Sequence, residues 1–479
     1  MREKIPKGAK MLKIGKTRKE SGDFSNKLDI CEGPLAKNII LYTLPLMATG
    51  VLQLLFNAAD TIVVGRYAEE GELALAAVGA TGALINLIVN VLMGLSVGAS
   101  VNIAHCFGAN DKRGVSEAVH TSIFTALVGG IFVGIIGFFF SRNFLAMMST
   151  PVDIIDKSAL YMKIYFLGLP ASMVYNFSAS ILRSTGDTKR PLYFLVTSGV
   201  INIILNLILV IGFGLDVEGV AIATVVSQLV SAVLCVIHLM KVDGPQRLYL
   251  NKLRIHMRSL KKILFVGIPA GLQGSVFSIS NVLIQSSINS FESLFITGNT
   301  AGSNIEGFIY MAMNAFYHTT LTFVGQHVGA KKFDRVKKVV FYCCLFEIVT
   351  GFIIGYGVFF LKRPLLRIYI PANEVAVSYG ALRLTVICTT YFVCGLQETL
   401  TGCLRGLGSS ITPMVISTLG VCGFRILWIY TVFRVWHDPT VLFISYPISW
   451  ALTAAAELVA YFIIKRNLIR NLNTALAAD

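Results

Sequence analysis

Asp60 is the first residue along the chain whose type and position could do chemistry. It lies about 20 residues into an apolar run, after Asn57 and before Thr61. A carboxylate inside a membrane is costly, so it must be protonated, paired with a cation or reached by water. Those states can exchange, and Asp60 therefore reads as a proton or cation site. The bland alternative is a solvated aspartate at the outer membrane edge. Asn202 and Asn206 are four residues apart and share a helix face. Their carboxamides offer carbonyl oxygens and NH₂ donors to a carboxylate or a cation, although asparagines also serve as interhelical glue in membranes. In the second half, Glu398 and Arg425 lie within apolar runs. At 1.5 Å per helical residue they sit roughly 10 Å and roughly 18 Å deep. A long arginine spans that difference, so a buried pair is expected, with a structural role as its plainest meaning.

Other patterns fail their context. Gly94-Leu95-Ser96-Val97-Gly98 fits GxSxG but sits inside an apolar helical run, not on a strand-to-helix elbow. Gly130 and Gly134 form a GxxxG pair, which in such a run means helix packing. The seven histidines show no HExxH-type cluster, and no GxxxxGK[ST] loop is present to hold nucleotide phosphates.

The elements that must position these residues follow from composition. The 479 residues are 55% hydrophobic and only 14% charged, with a mean hydropathy of +0.70. Soluble domains carry about 25% charge, so lipid is the expected solvent. Continuous apolar runs argue for helices rather than a β-barrel. Twelve runs are long enough to span: Ile39–Val64, Ala77–His105, Val119–Phe140, Ser158–Leu182, Leu192–Ile211, Val220–His238, Ile263–Ser290, Ile296–Val324, Val339–Leu361, Tyr379–Leu404, Pro413–Phe433 and Val441–Ile464. The division is a basic N-terminal segment (1–38), a six-helix bundle (39–238), a linker (239–262), a second bundle (263–464) and a tail (465–479). The N-terminal segment is polar and basic, unlike a cleaved signal peptide.

With both termini inside, 31 of the 41 Lys and Arg fall in cytoplasmic stretches and 7 outside. This positive-inside bias explains the net charge of +15 without nucleic acid. The nine cysteines form no CxxC motif and read as reduced, structural thiols.

The halves repeat at an offset of about 220 to 224 residues. Leu182-Arg183 with Pro191 matches Leu404-Arg405 with Pro413; Gly108-Ala109 matches Gly329-Ala330; Thr150-Pro151 matches Ile370-Pro371; Leu44-Pro45 matches Ile268-Pro269; Lys163 matches Arg383. An even number of spans per half gives both halves one orientation. The expected fold is an all-α membrane protein with twelve transmembrane helices in two pseudo-symmetric bundles around a central cavity.

These motifs resemble the multidrug and toxic compound extrusion (MATE) family of cation-coupled antiporters. The resemblance rests on Asn57 through Gly65, Gly108-Ala109-Asn110-Asp111, Leu182 through Pro191, Asn202 through Asn206, Gly219 through Gln228, and their second-half counterparts. It implies a cation site at Asp60 with Asn202, Asn206 and Thr224 around it, coupling by H⁺ or Na⁺, and no cofactor. It also implies export of small amphipathic organic cations by a monomeric, multi-pass protein of the cell membrane with cytoplasmic termini, not an enzyme. Relatives often carry Asp where Asn206 stands. The sodium-coupled NorM-type relatives carry carboxylates at positions occupied here by Phe277 and Cys394, so the pattern is closer to the DinF-like one. A lipid-linked precursor flippase of the same superfamily is the nearest alternative, opposed by twelve spans and an acidic first lobe. An intramembrane enzyme or receptor is the more distant one.

Overall fold

The structure, a computed structural model, describes residues 28–67, 71–148, 150–371 and 373–478. Most of the basic segment 1–38 therefore lies outside the described residues. The first lobe comprises α1 (Leu35–Tyr67), α2 (Gly71–Gly108), α3 (Lys112–Met147), α4 (Val152–Ser184), α5 (Lys189–Gly212) and α6 (Val217–Lys241). The second comprises α7 (Met257–Ile288), α8 (Ser293–Gly329), α9 (Phe333–Tyr369), the broken pair α10 (Glu374–Cys388) and α11 (Tyr391–Gly406), α12 (Ile411–Phe433) and α13 (Pro439–Ala478). The helices extend well beyond the apolar runs, because polar turns continue the backbone ladder outside the hydrocarbon.

Nine of the described helices are long and apolar enough to cross a membrane, or ten if the bent pair is one span. The exceptions, α4 and α8, are long but more polar. Each is packed among several neighbours of its own lobe, with Ser172, Ser178 and Ser184 of α4 and Asn299, Thr319 and Thr322 of α8 buried. Hydropathy alone under-reports such central helices because they meet little lipid.

The expected single span Tyr379–Leu404 is instead broken at Thr389 and Thr390, with a bend of 47°. The cause is local. Thr389 Oγ1 bonds to Thr385 O at 2.7 Å and Thr390 Oγ1 to Val386 O at 2.9 Å, competing with the backbone ladder and bending the helix.

The repeat persists in fine detail. The turns after α2 and α8 place Asn110 (φ 55°) and Lys331 (φ 57°) in the left-handed region, and those after α4 and α11 place Gly186 (φ 95°) and Gly408 (φ 92°) there. Both α5 and α12 end in a wider, i→i+5 winding, at Leu207–Gly212 and Ile429–Phe433.

The lobes meet where backbones approach closely. Any Cβ added at Gly94 would stand 2.2 Å from Gly271 N, and one at Gly98 would stand 2.2 Å from Ile263 O. The GxSxG pattern thus marks the α2–α7 seam. Gly130 and Gly134 similarly admit Pro170 and Phe166 of α4. Nearer the termini, Gln326 Nε2 donates to Ser184 O at 2.6 Å, His105 Nε2 lies 2.7 Å from Gly406 O, and Tyr42 OH donates to Thr322 Oγ1 at 3.1 Å. Among the described residues, hydrogen bonds between the lobes extend from this end to mid-helix, no farther than Asn90 Nδ2 to Ser278 Oγ at 3.1 Å. Helix α1 bridges the two cores. Its first turns (Leu35, Ile39, Tyr42, Leu46) bury against the second lobe, and Val63 and Val64 bury within the first.

Candidate functional site

Inside the first lobe, α1, α4, α5 and α6 enclose a polar cavity of about 190 Å³ bordered by Asp60. Asp60 reaches it because the second half of α1 belongs to this lobe. Asn202 and Asn206 are buried on one face of α5, at its last regular turns before the wider winding begins. Asn206 Nδ2 donates to Asp60 Oδ1 at 2.5 Å and lies 3.4 Å from Asn202 Oδ1. The Thr224 hydroxyl of α6 bonds to Val220 O at 2.9 Å and stands 3.5 Å from Asp60 Oδ2. The four residues singled out in the sequence are thus brought together from three helices.

The remaining lining is mostly serines, asparagines and glutamines, including Ser198, Asn176 and Gln228, together with Phe56, Tyr175 and Leu195, and no Lys or Arg borders the cavity among the described residues. Asn206 Oδ1 is buried without a hydrogen-bond partner. A carboxylate, two carboxamide oxygens and a hydroxyl form an all-oxygen donor set suited to a hard monovalent cation or to a proton on Asp60.

The second lobe corrects one expectation. No hydrogen bond or ion pair joins Glu398 to Arg425 among the described residues. Arg425 Nε donates to Ser449 Oγ at 2.9 Å, and its guanidinium lies 4.0 Å from the Tyr446 ring centre and 5.5 Å from that of Trp450. The side chains of the two residues meet different partners. Glu398 is half-buried and lies on α11, on the same helix as Arg405. Arg405 Nη2 donates to Gln273 Oε1 at 2.7 Å.

The ion pair that does form was not legible in sequence. Arg383 donates to Glu306 Oε2 through Nη2 at 2.7 Å and Nε at 3.0 Å, with Nη1 on Asn299 Oδ1 at 2.7 Å. Two further glutamates are fully buried. Glu457 Oε1 accepts from Thr401 at 2.8 Å and Ser417 at 2.9 Å. Glu347 fills the space left by Gly395, and neither of its oxygens has a partner. Cys394 lies in the apolar core of this lobe, and Phe277, partly buried, packs against that core.

Two pseudo-equivalent helical lobes around a central axis, with a polar pocket inside one of them, define a secondary transporter. The family profile described as MatE matches residues 45–208 and 269–431, one stretch per lobe. The chain belongs to this family, the multidrug and toxic compound extrusion transporters. It is 27% identical over 398 residues to the probable multidrug resistance protein YoeA of Bacillus subtilis (strain 168), covering 81% of this chain and 85% of that one. It is 26% identical over 413 residues to the probable multidrug resistance protein NorM of Thermotoga maritima, covering 84% and 87% respectively. A solved outward-facing multidrug resistance MATE family transporter of the MOP superfamily shares the fold, with a TM-score of 0.85 at 20% identity over 93% of this chain and 99% of that one.

Proposed function

We propose that the protein is a cation-coupled antiporter that exports small amphipathic organic cations across the cell membrane, with Asp60 as the coupling site. The single observation that carries this reading is the Asp60–Asn206–Asn202–Thr224 cluster, held inside one lobe and away from any Lys or Arg. In this reading the ionised Asp60 accepts from the Asn206 amide and attracts H⁺ or Na⁺. The cation neutralises the carboxylate and removes its need for that donor. Coupling requires only that the two states favour different arrangements of α1. Because α1 joins both lobes, a shift of its second half is felt at the seam near its first turns.

The positive-inside bias supports cytoplasmic termini, and in that orientation the closed seam faces the cytoplasm and the carrier is open outward. An external cation entering the first lobe would then promote drug release outward, and its discharge to the cytoplasm would reset the carrier. The pocket is complete within one chain, which supports a monomer as the working unit. Reconstitution tests the reading. Purified protein in liposomes should move a fluorescent organic cation against an imposed proton or sodium gradient, each applied alone. Movement that ignores both gradients would contradict antiport.

A further inference from the structure

A second cavity lies outside the transport path. It is a groove of about 960 Å³ on the outer face of the second lobe, between α9, α11 and α13. Its floor exists because α13 presents Ala451, Ala454 and Ala455 where larger residues would close the seam. Its mouth carries three cations, Lys337, Lys465 and Arg466. Lys465 is the unusual one. It is only 5% exposed, it forms no ion pair among the described residues, and its Nζ lies 5.6 Å from the centre of the Tyr461 ring. Lys337 is within electrostatic reach as a like charge, and the groups that oppose it at Lys465 are the Cys403 thiol and the Asp334 carboxylate.

A buried ammonium beside another cation calls for an anion. From Ala451 to Arg466 the groove runs roughly 20 Å along α13 at 1.5 Å per residue, more than half of the roughly 30 Å hydrocarbon core. It therefore begins at acyl-chain depth and ends at headgroup level. We propose that this groove binds an anionic phospholipid of the leaflet on the terminus-bearing side, its acyl chain against the alanines and its phosphate on Lys337, Lys465 and Arg466. The chain's own residues 1–27 do not fit as the occupant, because they are themselves strongly basic.

The test uses the full-length protein, delipidated in detergent, and follows its thermal unfolding midpoint against added dioleoyl phosphatidylglycerol or dioleoyl phosphatidylcholine. A cation near an anionic surface contributes roughly five-fold in binding, so phosphatidylglycerol should protect at a concentration at least about ten-fold lower. Lys465→Gln, and independently the exposed Lys337→Gln, should each reduce that preference roughly five-fold and leave the phosphatidylcholine curve unchanged. Ala454→Phe should weaken both lipids by filling the groove. Equal protection by the two lipids would overturn the proposal. So would an unchanged preference in both lysine variants. Protection reproduced by inorganic phosphate would mean an anion site without a lipid, and protection that tracks formation of a dimer would make a second copy the occupant; either result also overturns it.

Discussion

Asn206 donates its carboxamide N–H to Asp60 Oδ1 at 2.5 Å, while its own Oδ1 is buried and unpartnered. One side chain thus presents a donor to an ionised carboxylate and holds an oxygen in reserve. A carboxamide that turns over offers that oxygen to a bound cation or to a carboxylic O–H. Loss of this group tests its role. A hydrogen bond to a charged group contributes about 1.5–3 kcal/mol, so Asn206→Ala is expected to lower gradient-driven efflux by about ten-fold or more without loss of folded protein. Efflux within two-fold of the parent would remove Asn206 from the site.

Asn206→Asp places a second carboxylate against Asp60. Two carboxylates that share a site favour a cation between them. Efflux by this variant, measured at fixed pH with and without a sodium gradient, is expected to become more sodium-dependent than that of the parent. An unchanged ratio would contradict this.

In the second lobe, Glu306 and Arg383 are bonded to each other, and no bond joins Glu398 to Arg425 among the described residues. Removing one partner of a buried pair costs about 3–5 kcal/mol, so Glu306→Gln should lower the unfolding midpoint markedly. The double variant Glu306→Gln/Arg383→Met should recover part of the loss. A cycle on Glu398→Gln and Arg425→Met should be additive to within about 0.5 kcal/mol. A coupling energy well above that would restore the pair that the geometry separates.

How much of this was legible in the sequence differs between the lobes. The first-lobe site could be found because Asn202 and Asn206 carry their helical spacing with them, and Asp60 is a carboxylate within an apolar run. Depth can be counted along a helix, but the facing direction across a gap cannot. That is why Glu398 and Arg425, at compatible depths, were expected to pair and do not. Glu306 and Arg383 are 77 residues apart, and nothing in the spacing of either run shows that their side chains face each other. Packing of α13 and α9 against α11, visible only in the assembled lobe, also makes Glu457 and Glu347 interior groups. The break before Tyr391 needed the hydroxyl geometry of Thr389 and Thr390, which hydropathy does not carry.

The seam glycines should control which face is closed. A side chain at Gly98 meets the Ile263 carbonyl at 2.2 Å, backbone that cannot yield cheaply. Gly98→Val should therefore disfavour the closed seam and populate the state open toward the termini, with transport lost and the folded protein retained. Spin labels across the seam, near Lys112 and Lys331, should report a longer distance than in the parent. A substitution at Gly129, which has nothing within 4 Å of its Cβ position, serves as the neutral comparison. An unchanged label distance in Gly98→Val would contradict the seam assignment.

The central claim is that Asp60 couples ion movement to export, and its most direct measurement is efflux by Asp60→Asn in proteoliposomes under proton and sodium gradients. The substitution keeps the shape, accepts and donates hydrogen bonds, and cannot change charge. The account predicts efflux at the level of protein-free liposomes under either gradient, with an unfolding midpoint close to the parent's. Transport at the parent's rate under either gradient would show that Asp60 is not the coupling site.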